Sequence, residues 1–210
     1  MKQMEKVWKV QYNRRATMDM PDYEKSFWTK EGHKQLIEVT LHLVNKIQNT
    51  KTILDVGCGT GIMCKQLLDN GYDVLGVDYS ENVVKLAKEK YPGINFMVAD
   101  GYALPFSDKQ FDIVISIGAL QCIVEHEKFI KELIRVSSKA VILSTLLKKK
   151  KSKNPMRTLR EQLKSDDFPC REYHPSEILP AFNASGMKTA VITTFNNQKI
   201  LHGGFIVAKH

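Results

Sequence analysis

No stretch of the 210 residues approaches the roughly 20 consecutive apolar residues of a membrane-spanning helix. The opening Met-Lys-Gln-Met-Glu-Lys has no apolar core of the secretory kind. A cytoplasmic location is therefore the expectation. Cysteine is scarce, and Cys58, Cys64, Cys122 and Cys170 form no C-x-x-C pair. Neither a zinc site nor a dithiol redox motif is indicated, and no metal cluster is evident. Cys58 and Cys64 read as buried free thiols. Acids are in the minority: 23 Asp and Glu face 31 Lys and Arg, a net charge of +8. That balance suits an anionic partner, nucleic acid included, but a merely basic soluble protein shows it too. No repeat or long linker interrupts the chain, so one domain is expected over 1–210.

What the chain does contain is concentrated at 53–61, Ile-Leu-Asp-Val-Gly-Cys-Gly-Thr-Gly. Residues 53–56 read as a short buried strand. Gly57, Gly59 and Gly61 follow within five residues, permitting a sharp turn and a close ligand approach. Residues 62–70 read as a helix with Leu67 and Leu68 on its apolar side and Gly71 as its stop. Strand, glycine turn and helix make a nucleotide-type pocket at the carboxyl end of a strand. A dinucleotide fingerprint would need its third glycine at 62, where Ile62 stands. An NAD enzyme is disfavoured on that ground.

The pattern D-x-G-x-G-x-G instead resembles the first motif of the class I S-adenosylmethionine-dependent methyltransferases. Three more stretches carry the resemblance, in order: 74–80 (Val-Leu-Gly-Val-Asp-Tyr-Ser), 96–106 (Phe-Met-Val-Ala-Asp-Gly-Tyr-Ala-Leu-Pro-Phe) and 111–118 (Phe-Asp-Ile-Val-Ile-Ser-Ile-Gly). Residues 103–112 are similar to the small-molecule, quinone-biosynthesis-like branch. The resemblance implies a doubly wound, Rossmann-like α/β sheet of seven strands. Its order would be 3-2-1-4-5-7-6, with the last strand antiparallel, under an N-terminal helical cap. It implies S-adenosylmethionine as cofactor, S-adenosylhomocysteine as product, and a small-molecule acceptor. Asp78, about 20 residues past the glycine turn, would accept hydrogen bonds from the ribose hydroxyls. Tyr79 would sit beside it. Asp100 and the Gly101 amide would meet the adenine. Gly57, Cys58 and Gly59 would form the loop under the cofactor, with Asp55 supporting it and Ile117 at the end of strand four. Tyr12 is the first candidate in an N-terminal lid, since a sulfonium favours aromatic faces.

Other segments are read from local pattern. Residues 1–30 carry Trp8, Tyr12, Tyr23, Phe27 and Trp28 without a clean period, so short helical pieces are expected. Residues 31–48 form a helix with Leu36, Val39, Leu43 and Ile47 inward, and His33 and His42 on it read as packing or surface residues. Ser80 caps a helix over 81–91. Where many family members carry histidine after strand four, this chain has Gln121-Cys122, so no catalytic base is assigned. Glu125 reads as an N-terminal charge of a helix over 125–136. No Asn/Asp/Gln-Pro-Pro-Tyr motif follows strand four, which disfavours amino methylation of nucleic-acid bases or glutamine. Residues 137–140 read as a turn and 141–147 as strand five. A helix capped by Ser176 follows, then a hairpin over 188–195 and 203–209.

The basic run at 148–153 (Lys-Lys-Lys-Lys-Ser-Lys) admits three readings: a solvated loop, a contact for an anionic small acceptor, or a phosphate contact for nucleic acid. The expected organisation is a cap over 1–49, a cofactor-binding core over 50–147 and a variable region over 148–210. The expected activity is methyl transfer to a small molecule by in-line displacement. The alternatives are an RNA methyltransferase that uses the basic run and a non-catalytic partner subunit of the same fold.

Overall fold

The computed structural model describes residues 2–26, 28–147, 171–190, 194–197 and 201–210. The basic run at 148–153 and Cys170 lie outside the described residues.

The strands are β1 (Thr52–Val56), β2 (Asp73–Asp78), β3 (Asn95–Val98), β4 (Phe111–Ile117), β5 (Ser137–Leu146), β6 (Lys188–Ala190), β7 (Thr194–Asn197) and β8 (Leu201–Lys209). They form one sheet in the order β3-β2-β1-β4-β5-β8-β6, with β7 also paired to β8. The β1–β2, β2–β3, β1–β4 and β4–β5 pairs are parallel, and β8 runs antiparallel to β5. β6 meets the 207–209 end of β8 and β7 meets its 201–204 end, so the two occupy one edge position. The sheet is thus the expected order 3-2-1-4-5-7-6, its sixth position divided into two pieces.

Alternation along the strands fills two cores. From β1, Leu54 and Val56 point to one face and Ile53 to the other; from β4, Val114 opposes Ile113 and Ile115. α6 (His126–Val136) and a last helix, α7 (Pro175–Asn183), cover the first face with Phe129, Ile130, Leu133, Ile178 and Phe182. α3 (Lys30–Asn45), α4 (Ile62–Asp69) and α5 (Glu81–Lys90) cover the second with Leu36, Val44, Met63, Leu67, Val84 and Ala87. α1 (Lys2–Ala16) and α2 (Asp22–Lys25) precede them.

Several local expectations are corrected. The N-terminal segment is not a set of short pieces, since α1 runs fifteen residues. The buried face of α3 is Leu36, Thr40 and Val44 rather than Leu36, Val39 and Leu43. Thr40 can be buried because its hydroxyl donates to the Leu36 carbonyl at 2.7 Å. Leu68 is exposed, because the buried arc of α4 is Met63, Cys64 and Leu67. β5 begins at Ser137, where a turn was expected. The cap of α7 is His174, not Ser176: its ring accepts from the Ser176 N–H, and Glu177 accepts from the His174 N–H at 2.8 Å.

Asp112 ties the base of the sheet. Its carboxylate accepts from the Lys51 and Thr52 N–H groups at 2.8 and 3.1 Å and pairs with Lys139 at 2.8 Å. Burial opposes its ionisation, but Lys139 and the two N–H groups prevail and hold the pKa at about 2, below the ordinary 3.8. A depressed carboxyl stabilises the fold above its unfolded pKa and loses that contribution as pH falls through the folded one. Asp112→Asn should therefore cost about 1 kcal/mol at pH 7. Urea unfolding of both proteins should show the gap narrowing from pH 5 to 2.5, whereas a pH-independent gap would contradict this account.

Candidate active site

The first two strands of the sheet meet the glycine turn at their carboxyl ends. The Gly57 and Cys58 N–H groups donate to the Val77 carbonyl at 2.8 and 3.0 Å. The Gly59 N–H donates to Asp78 Oδ2 at 3.0 Å, and the Ser80 N–H donates to Oδ1 at 2.9 Å. Gly57, Gly59 and Gly61 all hold positive φ, at 81°, 55° and 82°. A Cβ on Gly57 would stand 2.7 Å from the Ala119 Cβ in the loop after β4. The turn is thereby pressed against two neighbouring strand ends.

Between them lies a cavity of about 220 Å³ at the topological switch point between the adjacent strands β1 and β4. All ten residues singled out in the sequence line it: Tyr12, Asp55, Gly57, Cys58, Gly59, Asp78, Tyr79, Asp100, Gly101 and Ile117. The wall also includes Glu5, Trp8, Trp28, His33, Leu36, Tyr102, Ala119, Cys122, Ile123 and Phe129. Trp8 and Trp28 had shown themselves only as aromatics without a period. His33 was read as a packing residue, and no local motif distinguishes it. Gln121 is buried but is not part of the wall, while Cys122 is.

The acids differ in state. Asp55 is buried under the loop, with Cys64 Sγ 3.3 Å from its Oδ2. Burial raises its pKa to about 7; the Cys64 contact works against this, and Asp78 adds to it. Asp78 is also raised by burial, opposed by its bonds from Ser80 and Gly59. Cys58 is drawn down by Cys64 but pushed up by burial and by Asp78 and Asp55, standing at about 11. Both buried thiols are protonated at neutral pH, since burial also raises Cys64 well above its ordinary value. Asp100 is exposed at the rim, where its Oδ1 accepts from the Tyr102 N–H at 2.9 Å. Beyond it, Glu132 accepts from the Leu104 N–H at 3.0 Å, and Arg135 donates to the Leu104 and Phe106 carbonyls. These bonds fix the 100–106 segment beside the cavity.

α1 closes one side and is latched at both ends. Asn13 Oδ1 accepts from the Ser80 hydroxyl at 2.5 Å and from the Asn82 N–H at 3.2 Å. Lys9 pairs with Glu81 and lies 4.3 Å from the Tyr79 ring centroid. At the other end the Tyr102 hydroxyl donates to Glu5 and accepts from the Val124 and Glu125 N–H groups, each at 3.1 Å. Tyr102→Phe leaves the Glu125 N–H without that acceptor and leaves Glu5 holding only the Val124 N–H, 3.3 Å away. It should cost about 1–3 kcal/mol. Trypsin cleavage after Lys6 and Lys9 should accelerate more than global unfolding does; equal acceleration would assign Tyr102 to the core instead of the latch.

Among the described residues no group of three His, Cys, Asp or Glu could hold a metal, and no helix is long and apolar enough to cross a membrane.

Residues 54–144 match the family described as "Methyltransferase domain". This segment is a methyltransferase domain. The chain is 38% identical over 85 residues to a demethylmenaquinone methyltransferase of Renibacterium salmoninarum, covering 40% of this chain and 36% of that protein. It is 27% identical over 161 residues to the ubiquinone/menaquinone biosynthesis C-methyltransferase UbiE of Campylobacter jejuni, covering 73% and 62%. The chain therefore spans between about a third and under two thirds of the length of these curated relatives. In fold, the methyltransferase domain and its flanks are similar to magnesium protoporphyrin IX methyltransferase of Synechocystis PCC 6803, crystallised with bound SAM. The TM-score is 0.71 at 19% identity, over 96% of this chain and 90% of that one.

Proposed function

We propose that the chain transfers a methyl group from S-adenosylmethionine to a small, flat, hydroxyaromatic acceptor of the demethylated-quinol kind. The observation that carries this reading is the cavity itself, which gathers the glycine turn, Asp78 and Asp100 on one side and an aromatic, largely apolar wall on the other. The residues fit the cofactor. Each oxygen of Asp78 accepts one backbone N–H and keeps a lone-pair site toward a ribose hydroxyl. Gly59 has no side chain and only Ser26 Oγ, at 3.9 Å, stands near where its Cβ would be, so a ligand can approach the backbone there. When bound, the cofactor supplies an electrophilic methyl carbon on a positively charged sulfur. The protein's own contribution is alignment and exclusion of water. Trp8, Tyr12, Trp28 and Phe129 provide faces on which a flat ring can pack, and holding two reactants in line lowers the barrier by several kcal/mol. In this reading 1–49 act as a cap over the 50–147 core of a single domain.

Incubation with methyl-tritiated S-adenosylmethionine, reduced 1,4-naphthoquinone and total RNA tests the proposal. Label should enter the organic extract as a methylated naphthol. Label in RNA alone would overturn it.

A further inference from the structure

Among the described residues the cavity wall contains one histidine, and we propose that His33 is the general base that takes the proton from the acceptor's hydroxyl. This rests on methyl transfer being the reaction. The connection from α2 to α3 bridges the two loops where the reacting atoms must meet. Ser26 Oγ lies 3.9 Å from where a Cβ on Gly59 would stand, and the Trp28 ring lies 3.3 Å from where one on Gly118 would stand. Thr29 then caps α3, accepting the Gly32 N–H on its hydroxyl at 3.1 Å and the His33 N–H on its carbonyl at 2.9 Å. His33 is thereby fixed in the first turn of α3, half-buried, with its side chain in the cavity wall.

The carboxylates around the cavity each already hold a hydrogen bond. Glu5 holds the Tyr102 hydroxyl, Asp78 holds Gly59 and Ser80, and Asp100 holds the Tyr102 N–H. Asp55 lies beneath the turn against Cys64. Cys122 offers only a sulfur, a weak acceptor. Among the described residues the His33 ring nitrogens have no hydrogen-bond partner. Burial holds the imidazole below its ordinary 6.5, with Asp22 on α2 opposing, so the ring is neutral and able to accept a proton at pH 7. The titratable groups that share its cavity are Glu5, Lys9 and Tyr12 on α1, Asp55 on β1, Asp78 and Tyr79 at the end of β2, Asp100 and Tyr102 after β3, and Cys58 and Cys122 on the two loops.

The step balances. The hydroxyl proton passes to an imidazole nitrogen. The released pair, kept on oxygen or delivered through the ring to an adjacent carbon, forms the bond to the methyl carbon. In the second case the carbon's hydrogen returns to the oxygen, so one proton leaves either way. The carbon–sulfur pair stays on sulfur, which becomes a neutral thioether, and His33 carries the positive charge away.

The experiment compares wild type with His33→Gln and His33→Asn. Both variants should bind S-adenosylhomocysteine as wild type does, which shows that they are folded. With reduced 1,4-naphthoquinone their rates should fall about 10²–10⁴-fold and lose the wild-type dependence on pH below 6.5. Proton NMR supplies a readout without turnover. The imidazole signal missing in His33→Gln should titrate at lower pH with S-adenosylmethionine bound than with S-adenosylhomocysteine, because the sulfonium disfavours a second cation nearby. Variant rates within twofold of wild type, or an unchanged pH profile, would overturn the role of His33 alone. Cofactor binding without transfer to the naphthol would overturn the hydroxyaromatic acceptor and this step with it. Failure of wild type to bind S-adenosylmethionine would overturn the proposed function itself, and the base with it.

Discussion

Gly61→Ala is expected to cost about 2–5 kcal/mol of folding stability, the sum of a left-handed backbone strain of about 1–2 and an overpacking cost of about 1–3. Gly61 holds φ at 82°, and its Cβ would stand 2.6 Å from Phe96 Cζ and 2.9 Å from Cε1. Phe96 cannot turn aside. It is buried, and the same edge of its ring lies 2.5 Å, at Cδ1, from where a Cβ on Gly76 would stand. One ring from β3 therefore accounts for two glycines, one in the turn and one inside β2. The loss is a large fraction of the 5–15 kcal/mol typical of a domain. Gly71→Ala is the control, since its φ is 87° with no atom within 4 Å of the added carbon. It should show only the backbone strain, about 1–2 kcal/mol. Urea unfolding of both variants should differ by the cost of the clash, and Phe96→Leu should recover part of it in the Gly61→Ala background. Equal losses at Gly61 and Gly71 would contradict the packing account.

Asp78→Ala is expected to weaken S-adenosylmethionine binding by about 1–3 kcal/mol, or about 5–150-fold, with the protein still folded. The substitution removes the proposed ribose contact and also the acceptor that holds the Gly59 N–H. Asparagine should not rescue it. One end of an amide is a donor, and both ends of this side chain face backbone N–H groups. Calorimetry on the alanine and asparagine variants, alongside an unfolding curve for each, separates binding from stability. Unchanged affinity in a folded Asp78→Ala protein would remove Asp78 from the site.

The legible parts of the sequence were those where one local rule decides. The 53–61 stretch announced strand, turn and helix because apolar run and glycine spacing agree. Ser80 was readable as a cap, and its side chain accepts from the Val83 N–H at 3.3 Å. The order of the terminal strands followed from the resemblance, not from their own pattern. α1 was illegible as one helix because it docks through separate polar latches at Glu5, Lys9 and Asn13 and the buried Trp8 and Ala16, not through an apolar stripe. Ser137 misled because it is polar and fully buried; its hydroxyl finds the Ile134 carbonyl at 3.0 Å, so α6 passes straight into β5. His174 was missed although Pro175 and Glu177 at the first and third helical positions are a usable signal. The place of His33 in the cavity depends on the α2–α3 connection crossing from Gly59 to Gly118, a long-range fact that no spacing encodes.

Calorimetric titration of the wild-type chain with S-adenosylmethionine and S-adenosylhomocysteine, with NAD as control, tests the central claim most directly. Micromolar binding of both sulfur ligands and none of NAD is the predicted result. Binding of neither would contradict the enzyme reading and would leave a methyltransferase fold serving as a non-catalytic partner.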